Sequence, residues 1–109
     1  ERFVTYYMNG QRDDKYPGED RVIIPSKKVA TYDLAPEMST YEITETMIQH
    51  IKQGTYDVII CNFANADMVA HTGNLEATIK ACEVIDECVG MIAKDRQRTK
   101  KKVVVGIVN

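Results

Sequence analysis

Among residues able to do chemistry, Asp67 and His71 have the most suggestive spacing. They stand four apart in the polar, small-residue segment Asn62-Phe63-Ala64-Asn65-Ala66-Asp67-Met68-Val69-Ala70-His71-Thr72-Gly73-Asn74. On a helical turn, positions i and i+4 share a face, so the carboxylate and the imidazole would point the same way. A hard oxygen ligand beside a borderline nitrogen ligand suits manganese or zinc. The chain holds 16 acidic residues in 109, so such a pair also arises readily by chance. The same spacing serves a surface carboxylate hydrogen-bonded to a helix-start histidine, and spacing alone favours that second reading. Placement brings the metal reading level with it: the segment follows an apolar run, and open α/β sheets bind ligands beyond the carboxyl ends of their strands.

Few other residues compete. His50 falls inside a helical pattern and reads as a surface or boundary histidine. Met47 and Met91 fit helix faces and read as core. Asp13-Asp14 and Glu19-Asp20 lie in a polar stretch and read as solvated, as does the short basic run Lys100 to Lys102. There is no Ser/His/Asp set, Walker loop or Gly-x-Gly-x-x-Gly.

The elements that must position the pair follow from periodicity. Phe3-Val4-Thr5-Tyr6-Tyr7 reads as a strand, ended by Asn9-Gly10. Gln11 to Asp20 reads as loop, Arg21-Val22-Ile23-Ile24 as a short strand, and Ser26 to Met38 as an irregular connection. Ser39-Thr40-Tyr41-Glu42 predicts a capping box opening a helix whose face is Ile43, Met47, Ile48 and Ile51, with Gly54 as its stop. Tyr56 to Asn62, with Val58-Ile59-Ile60-Cys61 continuously apolar, predicts a buried strand of a parallel sheet. A second long helix is expected from Leu75 to about Lys94, capped by Asn74. Its face would be Ile79, Cys82, Val89 and Ile92, with Ala81, Ile85 and Cys88 beside it. Asp95 to Lys102 should be solvated, and Lys102-Val103-Val104-Val105 should begin a last strand. The alternation implies one α/β domain over 1–109, with a mostly parallel sheet flanked by helices.

Composition bounds the function. With 14 basic and 16 acidic residues the net charge is −2, so there is no electrostatic footprint for nucleic acid. No apolar run approaches the ~20 residues of a membrane span. Cys61, Cys82 and Cys88 lack Cys-x-x-Cys spacing and lie in apolar-patterned segments. Buried free thiols in a reducing cytoplasm are expected. The start at Glu1-Arg2-Phe3, without an initiator Met, suggests a piece of something longer.

The segment Asn62 to Asn74 resembles the metal-binding stretch of the cofactor-independent phosphoglycerate mutases, members of the alkaline phosphatase superfamily. Val4-Thr5-Tyr6-Tyr7-Met8-Asn9-Gly10, Pro17-Gly18-Glu19-Asp20-Arg21, Pro25-Ser26, Lys28-Val29-Ala30-Thr31-Tyr32-Asp33-Leu34, Pro36-Glu37-Met38-Ser39 and Asp86-Glu87-Cys88 resemble that family in the same order. The likeness reaches about Val105. It implies a fragment of a metal-binding phosphatase domain, a partial alkaline-phosphatase-like fold. The parent would be a cytoplasmic, glycolytic isomerase that interconverts 2- and 3-phosphoglycerate through a phosphoserine, with two manganese ions. Asp67 and His71 would belong to one of them, and Asn62 or Asn65 could hold those ligands.

The resemblance also implies what this stretch lacks. The family's nucleophilic serine lies far upstream, an active-site lysine falls at about the residue before Glu1, and the substrate-gripping arginines belong to the other domain. The Thr-Ala-Asp-His segment and a later histidine ligand should follow the last strand, where this chain instead reads Gly106-Ile107-Val108-Asn109. The chain by itself is therefore expected to be inactive, with at most a weak partial metal site. A non-catalytic α/β binding or structural domain on the same scaffold, or a related metal-dependent phosphatase or sulfatase, remains as an alternative.

Overall fold

The structure, a computed structural model, describes residues 3–99, with side chains through Asp95. Three α-helices organise it: α1 (Thr40–Gln53), α2 (Asn65–Ala70) and α3 (Leu75–Thr99). Two single 3-10 turns, Tyr7–Asn9 and Tyr32–Leu34, precede them.

The helix ends follow local chemistry. The α1 helix stops at Gly54, which takes φ 71° and donates its N–H to the His50 carbonyl at 3.1 Å. That left-handed position costs a residue with a Cβ, and glycine avoids the cost. Asn74 caps α3 as expected: its Oδ1 accepts the Ala77 N–H at 3.1 Å. Gly73, at φ 78°, makes the turn between α2 and that cap. Ser39 does sit at the start of α1, but its hydroxyl makes no cap bond. It donates instead to the Pro25 carbonyl at 2.7 Å and ties the preceding connection to the helix start.

Three cross-links give the relation of α1 to α3. Tyr41 donates its hydroxyl to Glu87 at 2.6 Å, Thr44 meets Cys88, and Lys52 pairs with Asp95 at 3.4 Å. Both residue numbers rise together, so the helices run in the same sense. Same-sense neighbours cannot be joined by a tight hairpin, and the chain must travel back between them. Residues 55–64 make that return without helix or strand, and α2 then turns the chain into α3. A core of Val69, Ala77 and Ala81, with Tyr32 packed against it, joins α2 to α3. Small Ala77 and Ala81 are what let the two helices approach closely.

Several expectations are corrected. Among the described residues no β-strand forms, so the mostly parallel sheet is not observed. Phe3 to Tyr7 is turned, because Met8 and Gln11 donate their N–H groups back to Phe3 and Tyr6, a local satisfaction that leaves no ladder to make. The runs Arg21–Ile24 and Tyr56–Asn62 form neither helix nor strand, and Ile23 (72%) and Val58 (73%) are the most exposed apolar residues in them. Their composition suits a covered strand, yet no neighbouring strand lies alongside to cover them. The expected strand at Lys102–Val105 lies outside the described residues.

The buried face of α3 is Ala77, Ala81, Val84, Cys88, Ile92 and Asp95, whereas Ile79 and Cys82 are exposed. Helix α3 is apolar on two opposite sides, and the 3.6-residue period alone does not say which side finds a partner. Asp95, expected in solvent, is turned inward toward Lys52. On α1 only Ile51 of the expected face is fully buried; Thr40 and Thr44 complete the buried stripe. Thr44 is accommodated there because its hydroxyl donates to the Thr40 carbonyl at 2.8 Å.

Candidate metal centre

The pair singled out by spacing does share a helical turn. Asp67 lies in the first turn of α2 and His71 is its C-cap residue, with helical φ −61° and ψ −18°. The histidine thus closes a short helix rather than starting one. Its Nε2 stands 3.5 Å from Asp67 Oδ1, with both side chains about three-quarters exposed. Apart from this contact neither side chain has a partner among the described residues. An exposed carboxylate oxygen and imidazole nitrogen on one face form a donor set that fits two positions of a manganese or zinc ion. Among the described residues no third Asp, Glu, His or Cys gathers with them.

Asn65 fixes where this pair sits. It is 1% exposed, and its Nδ2 donates both to the Pro36 carbonyl at 3.1 Å and to the Ala81 carbonyl at 3.0 Å. One amide therefore pins the first residue of α2 to α3 and to the 26–38 connection. Asn65 thereby anchors the helix that carries Asp67 and His71. Nothing in its sequence neighbourhood signals the role, because Pro36 and Ala81 lie 29 and 16 residues away. Asp33 is a second unsuspected neighbour. Its carboxyl is held below the usual range by the Thr31 hydroxyl and by the Asn74 amide, which sits 3.5 Å away at the start of α3.

A concavity of about 630 Å³ lies elsewhere. It opens between the 4–26 stretch, the start of α1 and the 55–64 return, with Asn9, Arg21, Ser39, Tyr56, Cys61 and Asn62 on its walls. Asp67 and His71 do not line it, so the pair faces solvent and not this opening. Arg21 is the cation of its described walls, and its guanidinium is already engaged. It donates to Glu19 and to the carbonyls of Asp13 and Asp14, both at 3.0 Å. The Arg21 bond holds the Glu19 carboxyl below its ordinary value. The arginine shapes a loop and leaves no open fork for a phosphate.

His50 is half-buried as expected, with its ring edge-on to Tyr56 at 5.3 Å. The cysteines are all free: Cys88 is buried, Cys61 half-buried and Cys82, contrary to expectation, exposed. No described helix is long and apolar enough to cross a membrane.

The metalloenzyme superfamily model matches residues 2–106. A 2,3-bisphosphoglycerate-independent phosphoglycerate mutase of Shewanella denitrificans is 53% identical over 89 residues, 82% of this chain and 17% of that protein. The 2,3-bisphosphoglycerate-independent phosphoglycerate mutase 1 of Methanosarcina barkeri is 60% identical over 90 residues, 83% of this chain and 17% of that protein. Among solved structures, Leishmania mexicana phosphoglycerate mutase at low cobalt concentration superposes with a TM-score of 0.86 at 37% identity. That match covers 90% of this chain and 18% of the mutase. The chain thus spans under a fifth of the length of these relatives. Their names agree with the resemblance carried by Asn62 to Asn74.

Proposed function

Because the chain belongs to the metalloenzyme superfamily, we propose that it is part of a manganese-dependent phosphoglycerate mutase, a cytoplasmic glycolytic isomerase. The parent interconverts 2- and 3-phosphoglycerate through a phosphoserine, and this stretch is a piece of its metal-binding phosphatase domain. The observation that carries the reading is the Asp67–His71 pair: two ligand-type side chains, 3.5 Å apart on one exposed face of α2 and otherwise unengaged. In a chain at 53–60% identity to proteins named as mutases, that pair is placed to supply two ligands of one ion.

A bound dication would neutralise charge on the phosphoryl oxygens and orient the accepting hydroxyl. The chain's own residues hold the ligands in place. Asn65 locks the first turn of α2, and Asn74 caps the helix that follows. The nucleophile, the second ion's ligands and the arginines that grip the substrate come from other parts of the parent, so this chain alone is inactive. The exposed apolar runs at 22–24 and 58–60 join a parallel sheet in the complete domain. Same-sense α1 and α3, with a return segment between them, are the helix arrangement that β–α–β crossovers produce.

The test uses the full-length parent. Asp67→Ala and His71→Ala should each abolish manganese-dependent turnover and lower the manganese retained after gel filtration. Full turnover by His71→Ala, or mutase turnover by the 109-residue chain alone, refutes the reading.

A further inference from the structure

We propose that Met47, His50 and Cys61 form a binding site for a soft monovalent cation, copper(I), between α1 and the 55–64 return. Met47 and His50 are three apart on α1 and so share a face. Across from them the Cys61 thiol donates to the Met47 thioether at 3.5 Å. All three line one small cavity of about 160 Å³. The His50 ring is braced against Tyr56, and its Nδ1 is buried with no hydrogen-bond partner. A buried ring nitrogen with no protein partner can take a metal ion or a water.

The donor chemistry selects the cation. A thiol and a thioether are soft ligands that favour copper(I), and imidazole suits copper as well. Asp20, the hard donor on the same wall, already accepts the Tyr56 hydroxyl at 2.6 Å, so calcium or magnesium finds no open carboxylate there. The two sulfurs need little change. Metal–sulfur bonds of ~2.3 Å would bridge two sulfurs 3.5 Å apart at an angle of roughly 100°. On binding, the Cys61 S–H bond breaks, a sulfur–copper bond forms, and the proton leaves to solvent, with no change of oxidation state. The bound cation would tie α1 to the segment that leads into Asp67 and His71.

The test titrates the full-length parent anaerobically with copper(I), held by the chromophoric competitor bicinchoninate. One copper should be withdrawn per chain. Met47→Leu keeps the side-chain volume and so the packing; it and Cys61→Ser should each weaken binding at least about tenfold. Cys82→Ser, which removes the exposed thiol, and the double variant Asp67→Ala/His71→Ala should bind copper like the unaltered chain. The proposal is overturned by any of three results: no withdrawal of copper, unchanged affinity in Met47→Leu, or loss of binding in Cys82→Ser. Because the manganese pair is removed in one of the variants, this outcome is independent of the mutase reading.

Discussion

Replacing Asn65 probes the joint on which the candidate centre rests. In Asn65→Ala the bonds to the Pro36 and Ala81 carbonyls disappear. Each contributes a net ~0.5–1.5 kcal/mol, so about 2 kcal/mol is lost. The vacated volume of a fully buried side chain adds about 1 kcal/mol. Against this, Asn65 Oδ1 is itself buried without a partner, and removing it returns about 1 kcal/mol. The expected net loss is about 2 kcal/mol, or roughly 8–16 °C in Tm for a chain of this size. Asn65→Asp sharpens the argument because it keeps the shape and changes only the donor. A carboxylate oxygen would then face two carbonyls in a buried site, and the cost should rise to about 4 kcal/mol at pH 7. That carboxyl would have a raised pKa in the folded chain, so stability should return as the pH is lowered and it protonates. Urea unfolding followed by far-UV circular dichroism measures all three chains. If Asn65→Asp proves as stable as Asn65→Ala at pH 7, the amide is not acting as a donor to these carbonyls, and the reasoning fails.

Two further outcomes follow from the same geometry. Asp67→Ala and His71→Ala should each change the stability of this chain by less than about 0.5 kcal/mol, since an exposed pair contributes little; a larger loss in urea melts would mean that the pair holds the loop together. The Tyr41 hydroxyl, bonded to Glu87, has its pKa pushed up to about 12 from 10.0. The folded chain therefore keeps this proton after the unfolded chain has lost it. The stabilisation is complete below pH 10 and is lost as the pH rises toward 12. Stability measured across that window should fall more in the unaltered chain than in Tyr41→Phe; parallel curves would refute the link.

How much was legible in the sequence depends on how local the cause is. The Gly54 stop, the Asn74 cap and the four-residue spacing of Asp67 and His71 were all readable, because each is settled within one helical turn. The span of α1 and the start of α3 followed from periodicity for the same reason, whereas α3 runs on to Thr99, past its expected end near Lys94. The buried side of α3 did not. Both its stripes are apolar, and only contact with α1 and α2 selects Ala77, Ala81, Val84 and Cys88 over Ile79 and Cys82. Asp95 was misplaced similarly, because a charged residue reads as solvated until Lys52 arrives from another helix.

The apolar run Val58-Ile59-Ile60-Cys61 shows the boundary most clearly. Its composition favours an extended backbone over a helix, because β-branched residues suit that backbone. Whether it pairs is decided by a neighbouring strand, because sheet hydrogen bonds are made only between segments, and among the described residues none is made. The candidate centre divides in the same way. The sequence determined which two side chains could share an ion, through the i, i+4 rule. Tertiary structure alone decided that Asn65 would anchor their helix, by bringing Pro36 and Ala81 to a single buried amide. It alone also brought the Cys61 sulfur to Met47, 14 residues away. Contacts of that range depend on how helices and return segments pack, and no local pattern in the chain encodes them.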